Sequence, residues 1–477
     1  MIRYCLLLVS VCVFNVVKSQ DTHYWNSQYG AGGFFVPGAV IAANGDSGVY
    51  FYNPALLGGS KIAAISMNTV LYQHQAIRIK NGAGKGFDLK SASNASVPNM
   101  LAGGQAIPGT RVSVAYALIH TPGIRLETSQ RRDDQFQVLN DSYSPGNEYY
   151  VGQYQLENRA GETRAQIAWG LKLGKYWSAG LLLEGNVYSQ RYSQNYSARA
   201  IVNPGVVDFK LASTDAIYTV DYHHIGLKIR PGLAYDNGRH HLGLTAGMPM
   251  IHVGGSAILV SDNLIQELVL TTPDEPFSLL ANTRQEKLKV KWRTPLSIAA
   301  GYIYDLPKGK LYIAAEHYGR IKEYNIITPR NEYFIRPDTA GLNTFTSGIL
   351  RLKDVRKSVT NVALGVSFNV RKDLTGYISG RTDFSFFDES LYRDDSGVVP
   401  YTATWNNFHF QLGANKRTRR ANIKAGLVLT YGQKNNFRQD INFSNPSESN
   451  QLLGDVQNVA QARHITAGFL LCYVHNL

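Results

Sequence analysis

Between Gly161 and Gly174 the chain alternates: Ala165, Ile167, Trp169, Leu171 and Leu173 are apolar, while Arg164, Gln166, Ala168, Gly170 and Lys172 are polar or small. The same period returns with Trp177, Ala179, Leu181, Leu183 and Val187, and again with Val362, Leu364, Val366, Phe368 and Val370. Ala421, Ile423, Ala425, Leu427, Leu429 and Tyr431 repeat it, as do Ile465, Ala467, Phe469, Leu471 and Tyr473. A period of two sends successive side chains to opposite faces of an extended strand. Each segment is therefore predicted to be a strand with one apolar face. The opposite faces mix Arg, Lys, Glu and Gln with Gly and Ala, which suits a wet or narrow lumen better than a solvent-facing sheet.

The connections fall into two classes. Tight turns are expected at Thr121-Pro122-Gly123, Leu173 to Tyr176, Asp236-Asn237-Gly238, Leu306 to Lys310, Arg371-Lys372-Asp373 and Gly413 to Thr418. Asn237-Gly238 is a strong hairpin signal because both residues tolerate positive φ. Long polar stretches lie near 80–108, 140–161, 195–217, 262–284, 327–355, 389–402 and 433–460. Short turns alternating with long loops predict an all-β protein, a transmembrane antiparallel β-barrel of about 14 strands with both chain ends on the short-turn side. The first strand is placed at 61–79, and 124–140 is the most polar of the candidates. No propeller-type repeat is visible.

The start of the chain sets the compartment. Arg3, the apolar run from Cys5 to Val17, and Val17-Lys18-Ser19 predict a secretory signal over 1–19, cleaved before Gln20. That run is too short for a spanning helix, which needs about 20 residues. The remainder keeps a single cysteine, Cys472, so no internal disulfide or cysteine metal cluster is expected. With 29 Tyr, 19 Phe and 44 Gly, only 17% charged residues and a mean hydropathy of −0.20, the composition leans towards strands. The net charge of +13 is scattered, apart from Lys416-Arg417-Thr418-Arg419-Arg420 at an expected turn. It is read as charge on solvated loops and a wet lumen, with no nucleic-acid partner.

A barrel of about 14 strands has a lumen too wide for its own side chains to fill. Residues 20–58, rich in Gly and Ala, precede the first strand and are expected to form an N-terminal hatch (plug) in that lumen, with 59–477 forming the barrel. Gly45-Asp46-Ser47-Gly48-Val49-Tyr50-Phe51-Tyr52-Asn53-Pro54-Ala55-Leu56-Leu57 resembles the small and acidic run leading into Asn-Pro-Ala of the FadL family of outer-membrane long-chain fatty acid and hydrocarbon transporters. Thr294-Pro295-Leu296-Ser297-Ile298-Ala299-Ala300-Gly301-Tyr302 is similar to that family's Pro-containing strand ending in Gly-aromatic. Gly243-Leu244-Thr245-Ala246-Gly247-Met248-Pro249 followed by Gly254-Gly255-Ser256-Ala257 resembles a further mid-barrel segment. The resemblance implies a hatch, a hydrophobic pocket in the lumen and sideways exit through the wall into the bilayer of a Gram-negative outer membrane. It places Asp46, Ser47, Asn53, Pro54 and Ala55 at the hatch motif, with Asn53-Pro54-Ala55 at the junction to the first strand. The C-terminal Tyr473-Val474-His475-Asn476-Leu477 departs from the aromatic ending common in barrels.

Enzymatic readings find little support. Gly45-Asp46-Ser47-Gly48 matches a serine-protease nucleophile segment, but only His23 precedes it after signal removal, and a triad needs more upstream chain. Asp46 and Ser47 are read instead as turn formers. Gly82-Ala83-Gly84-Lys85-Gly86 lacks phosphate-loop spacing. His223-His224 and His240-His241 are adjacent on strands and face opposite sides, so neither pair chelates a metal. No cofactor or metal is called for. Trp169, Trp177, Tyr302, Tyr304, Tyr431 and Tyr473 are read as interfacial girdle, and Phe34, Phe35 and Val36 as contacts for a hydrophobic ligand. The expected role is passive passage of fatty acids or hydrocarbons from outside to the outer-membrane lipid. The alternative is a barrel of the same kind serving as a partner or shuttle in protein secretion.

Overall fold

The computed structural model describes residues 22–25, 41–42, 49–59, 64–203, 209–270, 276–336, 345–394, 396–399 and 403–476. The predicted signal, Phe34, Phe35, Val36, Asp46 and Ser47 lie outside these residues. The strands run β1 (Ala64–Lys80), β2 (Leu89–Ala106), β3 (Val112–Phe136), β4 (Glu148–Lys172), β5 (Trp177–Ile201), β6 (Leu211–Asp236), β7 (His240–Gly247), β8 (Ile251–Leu268), β9 (Phe277–Lys289) and β10 (Ser297–Leu306). They continue with β11 (Gly309–Tyr318), β12 (Ile321–Ile327), β13 (Ile335–Arg336), β14 (Leu352–Arg356), β15 (Val359–Arg371), β16 (Leu374–Asp383), β17 (Asn406–Arg417), β18 (Ala421–Phe437) and β19 (Ala460–Asn476). Antiparallel pairing of β19 with β1 closes a barrel of 14 strands, in which β7 with β8, and β9 with β10, each occupy one position of the wall.

The alternation seen in the sequence is the alternation of lumen and lipid. Leu364, Val366, Leu427, Leu429, Ile465 and Phe469 are exposed on the outside, while Asn361, Ala363, Ala462 and Thr466 are buried within. Exposed apolar side chains recur on strands all around the ring, and water would disfavour so much apolar surface. They form the lipid-facing band. Trp169, Trp177, Tyr431 and Tyr473 are exposed on that outer surface, as a girdle requires. His223 faces out and His224 in, where His224 Nε2 lies 2.9 Å from His252 Nδ1.

The wall is uneven. β10, β11 and β16 have 10 residues each, about what a transmembrane strand needs, whereas β3, β4 and β5 have 25 and β6 has 26. The surplus of about 15 residues carries the wall roughly 50 Å further along the strands, beyond the lipid band. Outside the bilayer a strand meets water on its outer face, so its pattern turns polar. That is why the expected loop at 80–108 was too long: most of it is β2, and the connection is only 81–88, while 124–140, the most polar of the expected strands, is largely the upper part of β3. Thr121-Pro122-Gly123 is not a turn but a point inside β3, and the short turn lies at 107–111 instead. The turns at 173–176, 237–239, 307–308 and 372–373 stand as expected, while that near 413–418 falls at 418–420.

Segments of the chain lie inside the ring at both ends. At the long-loop end the 438–459 connection crosses the opening: Phe443 N–H donates to Ala83 O at 2.9 Å, and Tyr150 Oη to Leu452 O at 2.8 Å. Buried Glu448 accepts from Asn140 N–H at 3.0 Å and from Val269 N–H, tying three loops together. Aromatic and aliphatic side chains including Tyr150, Tyr154, Tyr192, Tyr222, Phe334 and Phe443 pack beneath them into the largest apolar cluster.

At the short-turn end residues 49–59 lie against the inner wall, with Tyr50, Phe51, Ala55, Leu56 and Leu57 buried. Glycines of the wall make the room. A methyl at Gly170 would collide with Leu57, at Gly180 with the Pro54 backbone, at Gly232 with Asn53 Oδ1, and at Gly243 with Ile41 O.

Candidate functional site: a central cavity and two seams

Between the two ends lies a cavity of about 230 Å³. Rings held flat by their partners share its surface with charged groups, among them Arg164, Lys228 and Arg230. Trp292 stacks on Tyr188 at 4.3 Å between centroids, and Tyr24 stacks on Tyr318 at 4.0 Å. The Arg356 guanidinium lies 4.8 Å from the Trp292 ring and 4.5 Å from that of Phe386. The carboxylates at this level are engaged: Glu162 by Arg164 and Asn186, Glu184 by Gln166, and Glu316 by Trp25 Nε1 at 2.9 Å. A charge satisfied in this way is less available to a ligand than the aromatic faces between the pairs. Residues 22–25 complete the lining. Trp25 N–H donates to Asp383 Oδ1 at 3.0 Å, and Thr22 Oγ1 lies 2.7 Å from Ser385 Oγ.

The cavity reaches the wall at two places, and at both the ladder of backbone hydrogen bonds is missing. Along the first seam β2 and β3 pair from Ala106↔Ser113 to Met100↔Ile119 and no further. Above that rung β2 stays with β1 and β3 with β4. Extending the register brings Pro98 and Pro122 to within one residue of facing each other, and neither can donate an N–H. The β3–β4 register also slips between Pro122 and Arg125, a bulge that bends β3. Thr121, Pro122, Gly123, Ala160 and Gly161 line the cavity here.

Along the second seam β7 pairs with β10 up to Gly247↔Ser297, and β8 pairs with β9 from Ser256↔Lys289 onward. Residues 248–255 and 290–296 between them form no ladder with one another. Extending Gly247↔Ser297 by two residues sets Pro249 directly opposite Pro295. Two prolines facing each other remove the donors from both strands at the same rung. Met250, Trp292, Thr294 and Pro295 line the cavity on this side.

Of the residues expected at the hatch motif, Asn53, Pro54 and Ala55 are described and buried at the short-turn end. Asn53 is 0% exposed; its Nδ2 donates to Ile41 O at 2.7 Å and Leu233 O at 3.2 Å, and its Oδ1 accepts from Ala55 N–H at 3.1 Å. It ties the segment to itself and to β6. The cavity residues Tyr188, Trp292 and Met250 and the proline pairs were not singled out by the sequence reading as site residues. Their signal was present in Pro295 and Pro249, both inside segments noted for resemblance, and in prolines set within otherwise strand-like runs.

No family model matches the chain, and no curated protein matches it in sequence. Solved structures do. The toluene transporter TodX of Pseudomonas putida has a TM-score of 0.56 at 11% identity, covering 97% of this chain and 100% of that one. A Pseudomonas aeruginosa FadL homologue gives 0.54 at 12%, with 94% and 98% covered, and the Ralstonia pickettii toluene transporter TbuX gives 0.52 at 10%, with 91% and 95% covered. In its closed 14-stranded ring and over nearly its whole length, the chain has the barrel fold of the FadL-type outer-membrane transporters.

Proposed function

We propose that this protein is a passive outer-membrane channel for small hydrophobic molecules, which occupy the central cavity and leave sideways through the wall into the bilayer. The observation that carries the reading is the placement of the cavity: beneath the 438–459 connection, above residues 49–59 on the inner wall, and in contact with the wall where the ladder is missing. In this reading residues 20–58 act as the hatch, and Asn53-Pro54-Ala55 is its fixed hinge to the barrel. The described neighbours named as toluene transporters support the class of cargo.

The chemistry follows from partitioning. An apolar solute gains nothing in a water-filled pore but gains free energy in a cavity walled by rings. A dry cavity of about 150 Å³ suffices for benzene, so the volume here favours a single aromatic ring over an extended acyl chain. Stacked faces on Trp292 and Tyr318 suit a flat ligand. No energy source is required, because the solute runs down its own gradient into lipid.

The test is direct. Mass spectrometry of ligands released from the purified barrel, together with uptake of labelled toluene and labelled oleate by cells that depend on it, is expected to show monoaromatic cargo taken up faster. A barrel that carries neither, and that co-purifies with a secretion component instead of a ligand, overturns the proposal.

A further inference from the structure

Above the lipid band, the outer surface of the barrel carries its charge in two different arrangements. Across β3, β4, β5 and β6 the signs alternate and the groups pair. Glu127 takes Arg125 at 2.7 Å and Arg159 at 2.8 Å, Glu157 takes Arg159 at 3.2 Å and Arg191 at 3.6 Å, and Arg191 reaches Asp221 at 3.6 Å. Across the wall formed by β9, β10, β11 and β12 there is no such belt. Lys287, Lys289, Lys291, Arg293, Arg320 and Lys322 are all exposed, and among the described residues none of them has a carboxylate within 4.0 Å. Of the carboxylates next to them in sequence, Glu286 is taken by Arg284 at 2.7 Å and Glu323 accepts from Arg393 N–H at 2.7 Å.

Their placement narrows what they can meet. Lys289, the last residue of β9, and Lys291 and Arg293 in the segment that follows it are exposed and alternate with the less exposed Leu288, Val290 and Trp292. Arg320, between β11 and β12, and Lys322 on β12 are exposed on the adjoining chain, which is held alongside by Gly319 N–H to Leu296 O at 2.9 Å and Lys291 N–H to Ile326 O at 2.8 Å. Directly below on the same outer faces stand Leu296, Ile298 and Ile313, exposed to lipid. Arg293 also has its guanidinium 4.8 Å from the Tyr324 ring, which limits where that charge can swing. Outward positions on one strand are about 6.6 Å apart and neighbouring strands about 4.8 Å apart. The patch therefore spans roughly 13 Å by 5 Å, room for two anionic groups. A molecule that covers it must be apolar at the depth of Leu296 and Ile298 and strongly anionic from about three residues higher, where Arg293 and Lys322 stand, upward to Lys291 and Lys289.

We propose that this patch is a binding site for a phosphorylated lipid of the outer leaflet, whose acyl chains lie along Leu296, Ile298 and Ile313 and whose phosphates are held by Lys289, Lys291, Arg293 and Lys322. Phosphate is the headgroup group that accepts several charge-assisted hydrogen bonds at once from Lys and Arg. The site lies on the outside of the wall and does not rest on the transport reading, since a barrel that carries nothing would keep it.

The test uses the full barrel in neutral detergent, titrated with diphosphoryl lipid A and with the same lipid after removal of both phosphates. Each cation near a charged lipid surface contributes roughly fivefold. The combined Lys289→Gln, Lys291→Gln, Arg293→Gln and Lys322→Gln variant is expected to bind the phosphorylated form at least about a hundredfold more weakly. A matched variant on the paired belt, Arg125→Gln, Arg159→Gln and Arg191→Gln, is expected to change affinity by less than about threefold. Should the fourfold variant fail to fold, Lys291→Gln with Lys322→Gln is expected to lose at least about tenfold. Equal weakening by the belt variant would show a net-charge effect and overturn the site, as would equal affinity for the dephosphorylated lipid.

Discussion

At the first seam Lys90 N–H turns to Thr128 Oγ1 at 3.0 Å and Glu127 N–H to Ser91 Oγ at 3.0 Å. At the second, Met250 N–H turns to Thr294 Oγ1 at 3.0 Å and Arg293 N–H to Tyr324 Oη at 3.1 Å. The two breaks thus share a plan: prolines remove donors from the ladder, and hydroxyl oxygens take up donors left at the edges. They differ in what stands behind them. Gly123, Ala160 and Gly161 back the first seam and leave it almost without side-chain bulk. Trp292 and Met250 back the second, with Trp292 held between Tyr188 and Arg356. A backbone break alone therefore does not make a passage; the side chain placed in it decides. On the proposed function, the first seam is the standing exit and the second is stoppered.

Exchanging the contents of the seams should give the largest effect. Gly161 has only the His120 ring at the edge of contact, so Gly161→Trp would place an indole in the first seam. Uptake of monoaromatic solute is expected to fall by more than about tenfold, equivalent to about 1.4 kcal/mol on the barrier. Trp292→Ala is expected to leave that uptake unchanged or raise it. The opposite pair of results, with Gly161→Trp silent and Trp292→Ala strongly raising flux, would make the second seam the route. Next in size is the return of backbone donors. Pro249→Ala with Pro295→Ala restores a facing pair of N–H groups, each ladder bond contributing about 0.5–1.5 kcal/mol. Amide exchange along 248–255 is expected to slow by roughly tenfold. Pro122→Ala should protect its neighbours less, because the bulge before Arg125 keeps β3 out of register; equal protection at both seams would erase the distinction.

These seams also mark where the sequence stopped being readable. The barrel was legible because one face of each strand meets lipid and the other the lumen, so Val362 to Val370 and Ala421 to Tyr431 alternate with little noise. Thr121-Pro122-Gly123 misled for a physical reason. Proline and glycine mark turns because an intact ladder excludes them, and here the ladder is not intact. Pro98 was hidden similarly, inside a stretch whose polar residues stand above the bilayer and face water on the outside. The cavity could not be read at all: Tyr188, Trp292 and Tyr318 belong to strands far apart in sequence, and no local period announces that their rings converge. Asn53-Pro54-Ala55 stood out in the sequence, while the partners of Asn53, Leu233 O and the space at Gly232, are set by the closed ring.

The smallest expected effect separates the edges of the two seams. Thr294→Val keeps the shape and removes the acceptor for Met250 N–H, which faces a water-poor cavity wall, so a loss of about 1 kcal/mol is expected in equilibrium unfolding from lipid vesicles. Thr128→Val is expected to cost less than about half of that, because Lys90 stands in the exposed upper wall, where water can replace the lost partner. Equal costs would mean that the second seam is as wet as the first.

The glycines beneath residues 41–59 carry a consequence for the order in which this molecule is made. Ile41 rests on Gly243 and Gly301, Asn53 on Gly232, and Trp25 on Asp383 and Arg381. These residues thus have their seats on strands about 180 to 360 positions later in the chain. Contacts of such sequence separation form slowly. The N-terminal stretch must therefore travel with the assembling barrel unseated, kept from other partners until the ring has shut around it. The stretch that precedes the first strand is the last to acquire a structure.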